Sequence, residues 1–513
     1  MRHPIFGFLA AAFLSACAAP AAPPQSPVSG NEQRTAIYLE SLRDRPTYLE
    51  TFLRRMPKGG DLHNHLSGAV YAESYVRWAA EDGLCVERAT FTLTPPPCNK
   101  EGRMLARDAL HDSALYSQLL DALSMRGFLP IKESGHDHFF ATFGKFSAAQ
   151  NNHFGDMLAE ITQRAGEQSV SYIELMTSPG MAQARKIGAA VGWDNDLGRL
   201  RDRILASGGI GAAVAEARHE IDIAEHTMKR RLHCSDQSAE PGCNVTIRYL
   251  AQVIRVFPPE QVFAQCIFAY ELAKADPRIV GLNLVAPEDD PTTLRYYSEQ
   301  MRMLGFLHTL SPEVKLSLHA GEVTADLVPP NHLKSHIRGA VDVAAARRIG
   351  HGVDVLGEDD APGLLAEMAK RRILVEINLT SNDVILGVYG ARHPFDTYRR
   401  YGVPIALSTD DEGVSRIDLT HEYERALLTY RVGYSDLKTF ARNSLEYAFL
   451  PGESLWKTTV PFVMAEACAG AASSGGTVPA DCRELLDRSD KAVAQWRLES
   501  EFSTFEAQSW RPK

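Results

Sequence analysis

Short apolar runs alternate with amphipathic helical stretches along most of this chain. Eight of the runs read as strands: Asp61–His65, Val170–Met176, Gln261–Ala269, Ile279–Val285, Lys315–His319, Arg348–Gly352, Leu374–Asn378 and Pro404–Thr409. Most are apolar along their whole length and bounded by Gly, Pro, Asn or Asp, which is how a strand buried on both faces reads. Helical periodicity fills most of the intervals, for example Asp289–Leu310, Lys334–Arg347 and Ala361–Arg371. Strands alternating with helices imply right-handed parallel crossovers, and eight such units close a (β/α)8 TIM barrel.

The spacing is uneven. Roughly a hundred residues separate the first two strand candidates, far more than a barrel crossover needs. That interval holds Cys85, Cys98 and Pro95-Pro96-Pro97; it reads as an insertion over about residues 68–165, near the barrel mouth. A second long gap, Thr177 to Glu260, carries helical segments. Before the barrel, Glu32–Arg55 reads as an amphipathic helical pair able to pack on the barrel or on a second subunit, so a homodimer is one option. Helices are expected from Asp411 to about Ser444, and again over Asp481–Phe505. There are no internal repeats.

The first residues read as an address. Arg2 precedes an apolar stretch, Ile5 to Leu14, too short to span a bilayer as a mature helix. Leu14-Ser15-Ala16-Cys17 looks like a bacterial lipobox, which would make Cys17 the lipid-modified first residue of the mature protein; simple cleavage at an Ala-x-Ala site between Ala16 and Ala22 is the other option. The expected organisation is a signal over 1–17, a flexible tether over 18–30 and one domain over 31–513. The protein would then face the periplasm or cell exterior, touching the membrane only through its anchor. Three short-range cysteine pairs, Cys85–Cys98, Cys234–Cys243 and Cys468–Cys482, suit an oxidising compartment, and Cys266, inside an apolar run, reads as a buried free thiol. Net charge is −10, from 54 basic and 64 acidic residues without long single-sign runs. That balance lacks the basic footprint of a nucleic-acid binder and favours a small-molecule substrate.

Metal-ligand residue types recur where the strand candidates end. His63 and His65 alternate along the first strand and so share a face. His319 ends Val314–Leu318 and is followed by Ala320-Gly321-Glu322, so His319 can ligate while Glu322 acts as a general acid. His351 lies between Gly350 and Gly352. Asp410-Asp411 follows Ile405–Thr409, and two adjacent buried carboxylates need a cation for one and a hydrogen-bond partner for the other. A parallel barrel gathers the C-terminal ends of its strands in one mouth; a mononuclear metal hydrolase follows. A second His-x-His, His136-Asp137-His138, precedes a helical run with Asp137 as its cap or turn residue, and is set aside as a metal site.

Met56-Pro57-Lys58-Gly59-Gly60-Asp61-Leu62-His63-Asn64-His65, His319-Ala320-Gly321-Glu322, Gly350-His351-Gly352 and Ser408-Thr409-Asp410-Asp411 together resemble the adenosine deaminase family, over about residues 56–450. The secreted adenosine deaminase-related growth factor branch is the most similar, through the Met-Pro-Lys-Gly lead-in, the export signal, the insertion and Val375–Asn382. The resemblance implies that His63, His65, His319 and Asp410 hold one Zn²⁺ per chain. It implies that His351 orients and helps deprotonate a water, that Glu322 protonates purine N1, and that Asp411 hydrogen-bonds N7. The substrate would be a purine nucleoside, adenosine or deoxyadenosine, giving the 6-oxo product and ammonia. Three positions depart from the family's pattern: Ser67 stands where an acidic residue contacts the sugar, Ala286 where a glycine N–H reaches N3, and Asn283 where an aspartate is frequent. Adenine or a modified adenosine therefore stays open as substrate, as does a non-catalytic purine-binding barrel. The two-metal hydrolases that use a carboxylated lysine are disfavoured, because Ile279–Glu288 contains no lysine.

Overall fold

The computed structural model describes residues 29–469, 478–508 and 510. Cys17 and residues 18–28 of the expected tether lie outside the described residues. The tether's last two residues are helical in role: the Ser29 hydroxyl accepts the Glu32 N–H at 3.0 Å and caps the helix Gly30–Glu40. That helix packs on Tyr434–Glu446 and Asp490–Glu506, and its partner Pro46–Arg55 packs on Leu419–Thr429. The N-terminal pair thus covers its own barrel.

The barrel strands are β1 (Gly59–His65), β2 (Val170–Thr177), β3 (Thr246–Ile254), β4 (Ile279–Val285), β5 (Lys315–Ala320), β6 (Arg348–His351), β7 (Leu374–Ile377) and β8 (Ile405–Leu407). They neighbour one another in chain order, and every pair is parallel. Just beyond β8 the chain returns to β1 through two backbone hydrogen bonds. The His65 N–H donates to the Asp410 carbonyl at 2.9 Å, and the Asp410 N–H donates to the His63 carbonyl at 2.8 Å. The sheet closes into a (β/α)8 barrel on three of the residues nominated as metal ligands.

Seven expected strands fall where the apolar runs lie; the third does not. Gln261–Ala269 belongs to a helix, Pro259–Ala275, and the third strand is Thr246–Ile254. The helix is buried around most of its circumference, including Phe263, Cys266 and Phe268, so its apolar run has no polar face to betray a helical period. The strand carries Arg248 and Gln252, which broke up its apolar signal. Lys334–Arg347 is not one helix either. It is a short turn, His336–Arg338, followed by a wider π-helical turn, Gly339–Val343, and its first amides, of Ile337 and Arg338, are claimed by the Glu358 carboxylate at 2.5 and 3.3 Å. Asp481–Phe505 divides into Ala480–Asp487 and Asp490–Glu506, with the Ser489 hydroxyl capping the second helix.

The insertion contains a three-stranded antiparallel sheet (Cys85–Glu87, Thr92–Thr94, Arg103–Leu105) and a helix, Gly135–Phe146. The three expected disulfides are formed, and Cys266 is buried and unpaired.

Charged groups fill the barrel interior below its mouth. The Arg348 guanidinium, fully buried, lies 2.5 Å from Glu174 Oε2 and 2.6 Å from Glu376 Oε1, and the Ser317 hydroxyl also donates to Glu376 at 2.7 Å. Removing one partner of such a group strands a buried charge. Arg348→Met is expected to destabilise the fold by about 3–5 kcal/mol, read as a lowered thermal midpoint; an unchanged midpoint would show that Glu174 and Glu376 do not depend on it.

Candidate active site

His63, His65 and His319 stand at the C-terminal ends of β1 and β5, with Asp410 just past β8, and their donor atoms meet at one point. His63 Nε2 lies 3.1 Å from His319 Nε2 and 3.4 Å from Asp410 Oδ1. His65 Nε2 lies 3.3 Å from each of the same two atoms. Donors bound tetrahedrally to one ion at about 2.0–2.1 Å sit about 3.3 Å from each other, and these four contacts have that spacing.

The outer nitrogen of each ring shows why the inner ones are free for a metal. His63 Nδ1 faces Glu376 Oε2 at 2.7 Å, His65 Nδ1 faces Gln252 Oε1 at 2.9 Å, and His319 Nδ1 faces Asn283 Oδ1 at 2.9 Å. Each acceptor takes the Nδ1 proton, which leaves three Nε2 lone pairs directed at one another and at a carboxylate oxygen. Lone pairs at 3.1–3.4 Å repel unless a cation lies between them. The donor set therefore fits a borderline divalent ion of the zinc type, bound by three nitrogens and one oxygen. Burial opposes charge on His63, yet the Asp410 and Glu376 carboxylates hold its pKa up to about 10, so a positive charge, whether a proton or a metal ion, is favoured between these groups.

The two aspartates divide as their adjacency requires. Although burial works against it, hydrogen bonds from His63 and His65 hold Asp410 well below the carboxylate range. Burial and the Asp410 charge push Asp411 well above it. Glu322 is also raised well above its ordinary value, by burial and by the charges of Asp410 and Glu288. Its peptide is fixed from behind: the Glu288 carboxylate accepts the Gly321 and Glu322 N–H groups at 3.0 and 2.9 Å. Burial lowers His351 to about 3, so its ring is neutral; Nδ1 is 3.5 Å from Glu322 Oε1 and Nε2 is 3.9 Å from Asp410 Oδ2.

These groups border a cavity of about 380 Å³ lined by His65, Ser67, His319, Glu322, Asp410, Asp411 and Ala286. Its apolar walls come from Ile254, Val285 and Ile385 and from Phe139, Phe140 and Phe143 of the insertion helix. Seven of the nine residues nominated for metal, catalysis or substrate line this cavity, and His63 and His351 adjoin it beside Asp410. His136 and His138 do not join the metal cluster: they pair with Asp289 at 3.0 Å and Glu133 at 2.7 Å, and Ser134 rather than Asp137 caps their helix. Sequence reasoning missed Glu376, Gln252 and the three phenylalanines, and it marked Asn283 as a departure from the family's pattern without its hydrogen bond to His319. Glu376 left a signal, a charge in the middle of the apolar strand Leu374–Ile377.

The backbone is strained where the site is made. Ala286, His351 and Asp410 have φ of +84°, +68° and +61°, costly for residues with a Cβ and concentrated at functional sites in general. At Ala286 the chain adopts the glycine conformation without glycine; Arg255 Nε donates to its carbonyl at 2.9 Å and helps hold it.

A family model described as adenosine deaminase matches residues 129–457, more than half of the chain. The chain belongs to the adenosine deaminase family. His63 and His65 precede the matched stretch, and the barrel's closure puts them beside the motifs within it. An adenosine deaminase of Aliivibrio fischeri is 35% identical over 146 residues, 28% of this chain and 40% of that protein. One of Clostridium perfringens is 27% identical over 192 residues, 36% and 52% of the respective chains. The chain thus spans about half the length, or less, of these curated relatives. Among solved structures, an adenine deaminase from Arthrobacter aurescens is 18% identical, with a TM-score of 0.49, covering 77% of this chain and 94% of its own.

Gly350 has a specific task. A Cβ there would meet His63 Cε1 at 2.6 Å and Nδ1 at 2.9 Å, so the glycine makes room for the His63 ring. Gly350→Ala is expected to displace His63 and lower bound metal, measured by elemental analysis, at least tenfold at limiting free metal. Unchanged stoichiometry and affinity would show that His63 does not need this space.

Proposed function

We propose that this protein is a zinc-dependent deaminase of a 6-aminopurine, converting adenosine or deoxyadenosine to the 6-oxo nucleoside and ammonia. The observation that carries the reading is the meeting of three outwardly anchored imidazoles and Asp410 at coordination spacing, in the same cavity as Glu322. One zinc ion held there would lower the pKa of a water, making hydroxide available for attack at C6 near neutral pH.

The chain's own groups do the rest. Glu322, enclosed and backed by Glu288, gives a proton to ring nitrogen N1 as C6 is attacked. Purine N7 is an acceptor, and Asp411, whose Oδ1 is buried without a hydrogen-bond partner among the described residues, meets it as a donor. The Ala286 N–H faces N3, and Ser67 stands beside the sugar. His351, between Glu322 and Asp410, orients the attacking water. The phenylalanine wall and Ile254, Val285 and Ile385 suit the faces of a flat heterocycle and exclude bulk water.

No lysine or arginine is among the described residues that line the cavity, so a 5′-phosphate would be buried without a counter-charge. Neutral nucleosides are preferred to nucleotides on this ground. Export as a lipoprotein anchored at Cys17 accompanies the reading, and the three disulfides support a setting outside the cytoplasm.

Zinc-loaded protein offered adenosine, deoxyadenosine, adenine, N6-methyladenosine and AMP should release ammonia fastest from a nucleoside. Glu322→Gln should keep stoichiometric zinc and lose about 10²–10⁴ in kcat. Stoichiometric zinc without turnover of any of these compounds would favour a purine-binding protein, and Glu322→Gln activity within a few-fold of the parent would remove Glu322 from proton transfer.

A further inference from the structure

His351 sits at the end of a hydrogen-bond chain that begins at a backbone amide. The Phe395 N–H, which can only donate, points at His393 Nδ1 at 3.1 Å. His393 therefore accepts at Nδ1 and, as a neutral ring, carries its proton on Nε2. Burial and Arg425 lower this imidazole to about 4, which keeps it neutral. His393 Nε2 lies 3.0 Å from Asn382 Oδ1, so the Asn382 oxygen accepts and its amide nitrogen must face the other way. That nitrogen is 2.8 Å from His351 Nδ1. An amide nitrogen has no lone pair to offer, so His351 Nδ1 is the acceptor and the His351 proton is on Nε2.

A second amide, of Asn378, lies 3.4 Å from His351 Nδ1 and 3.5 Å from Nε2, too evenly placed to select a tautomer by itself. Asn382 decides, because its other end is committed to His393. All three side chains are enclosed, with His351 and Asn382 fully buried and His393 4% exposed, so water does not compete for these bonds. Neither His393 nor Asn382 lines the cavity.

We propose that His393 and Asn382 are positioning residues that hold His351 with its proton on Nε2, so that His351 donates a hydrogen bond to the attacking water oxygen rather than taking a proton from it. The use of that bond rests on the deaminase reading; the tautomer does not. Proton transfer then passes through Glu322. Its proton goes to N1 and it takes one from the water as the C6–O bond forms. It then protonates the departing amine as the C6–N bond breaks, and recovers a proton from the C6 hydroxyl as the carbonyl forms. The relay breaks no bond of its own. In serine proteases, a wrong histidine tautomer costs about 10⁴ in kcat, so the device is worth having.

The test combines a spectrum with kinetics. With 15N in the histidine rings, and His351 assigned by its loss in His351→Gln, the nitrogen shifts of metal-free and zinc-loaded protein should show Nε2 protonated and Nδ1 bare. Asn382→Asp puts an acceptor where the amide donated and should move the proton to Nδ1. The expected result is a fall of at least 100-fold in kcat, KM within threefold and unchanged zinc content. His393→Ala frees Asn382 to turn and should cost about tenfold in kcat, most of it recovered in His393→Gln, which can both accept from the Phe395 N–H and donate to Asn382. A wild-type His351 protonated on Nδ1, or Asn382→Asp within threefold of the parent, would overturn the proposal. Should zinc-loaded wild type deaminate no 6-aminopurine, the functional reading fails while the ring nitrogens still decide the tautomer.

Discussion

Three imidazole nitrogens and a carboxylate oxygen, joined by four contacts of 3.1–3.4 Å inside a barrel, form an arrangement that a positive charge stabilises. Much of the surrounding structure serves to maintain it. Glu376, Gln252 and Asn283 hold the far side of each ring, and Arg348 below holds Glu376 together with Glu174. The main chain contributes directly, since the hydrogen bonds that close the sheet run between His63, His65 and Asp410. Barrel closure and the meeting of these donor groups are thus coupled, and a shift in either alters both.

The cost of this concentration shows in the backbone and in the spaces left empty. His351 and Asp410 take left-handed conformations, while Gly350 and Gly68 leave room that a Cβ would fill: at Gly350 against His63, at Gly68 against Asp411 Oδ1 at 1.6 Å. Strain of this kind persists only where its surroundings over-determine it. Here the buried Arg255 ties the carbonyls of Ala286 and His319, at 2.9 and 3.3 Å, and the Glu288 carboxylate holds the Gly321–Glu322 turn. The insertion adds the remaining wall through Phe139, Phe140 and Phe143.

How far the sequence carried depended on whether a residue's chemistry shows locally. His63, His65, His319, His351, Glu322 and the aspartate pair end apolar runs, and polar groups at the end of a doubly buried strand announce themselves. The partners of those groups do not. Gln252 was hidden because its strand is interrupted by polar residues, and a buried helix alongside, Pro259–Ala275, offered a more apolar run in its place. Asn283 and Glu376 lie inside strands, where only barrel closure says which face looks inward. Phe139, Phe140 and Phe143 read as ordinary helix-face residues until the insertion is folded over the mouth. The cysteine pairs were legible because each closes a loop of fewer than 15 residues, which leaves little choice of partner.

The shared coordination of these four side chains is most directly tested at the metal itself. X-ray absorption and anomalous diffraction from zinc-loaded protein should show one ion per chain, with three imidazole nitrogens and one carboxylate oxygen at about 2.0–2.2 Å contributed by His63, His65, His319 and Asp410. An ion bound elsewhere, a pair of ions bridged across the mouth, or a shell lacking Asp410 would contradict it.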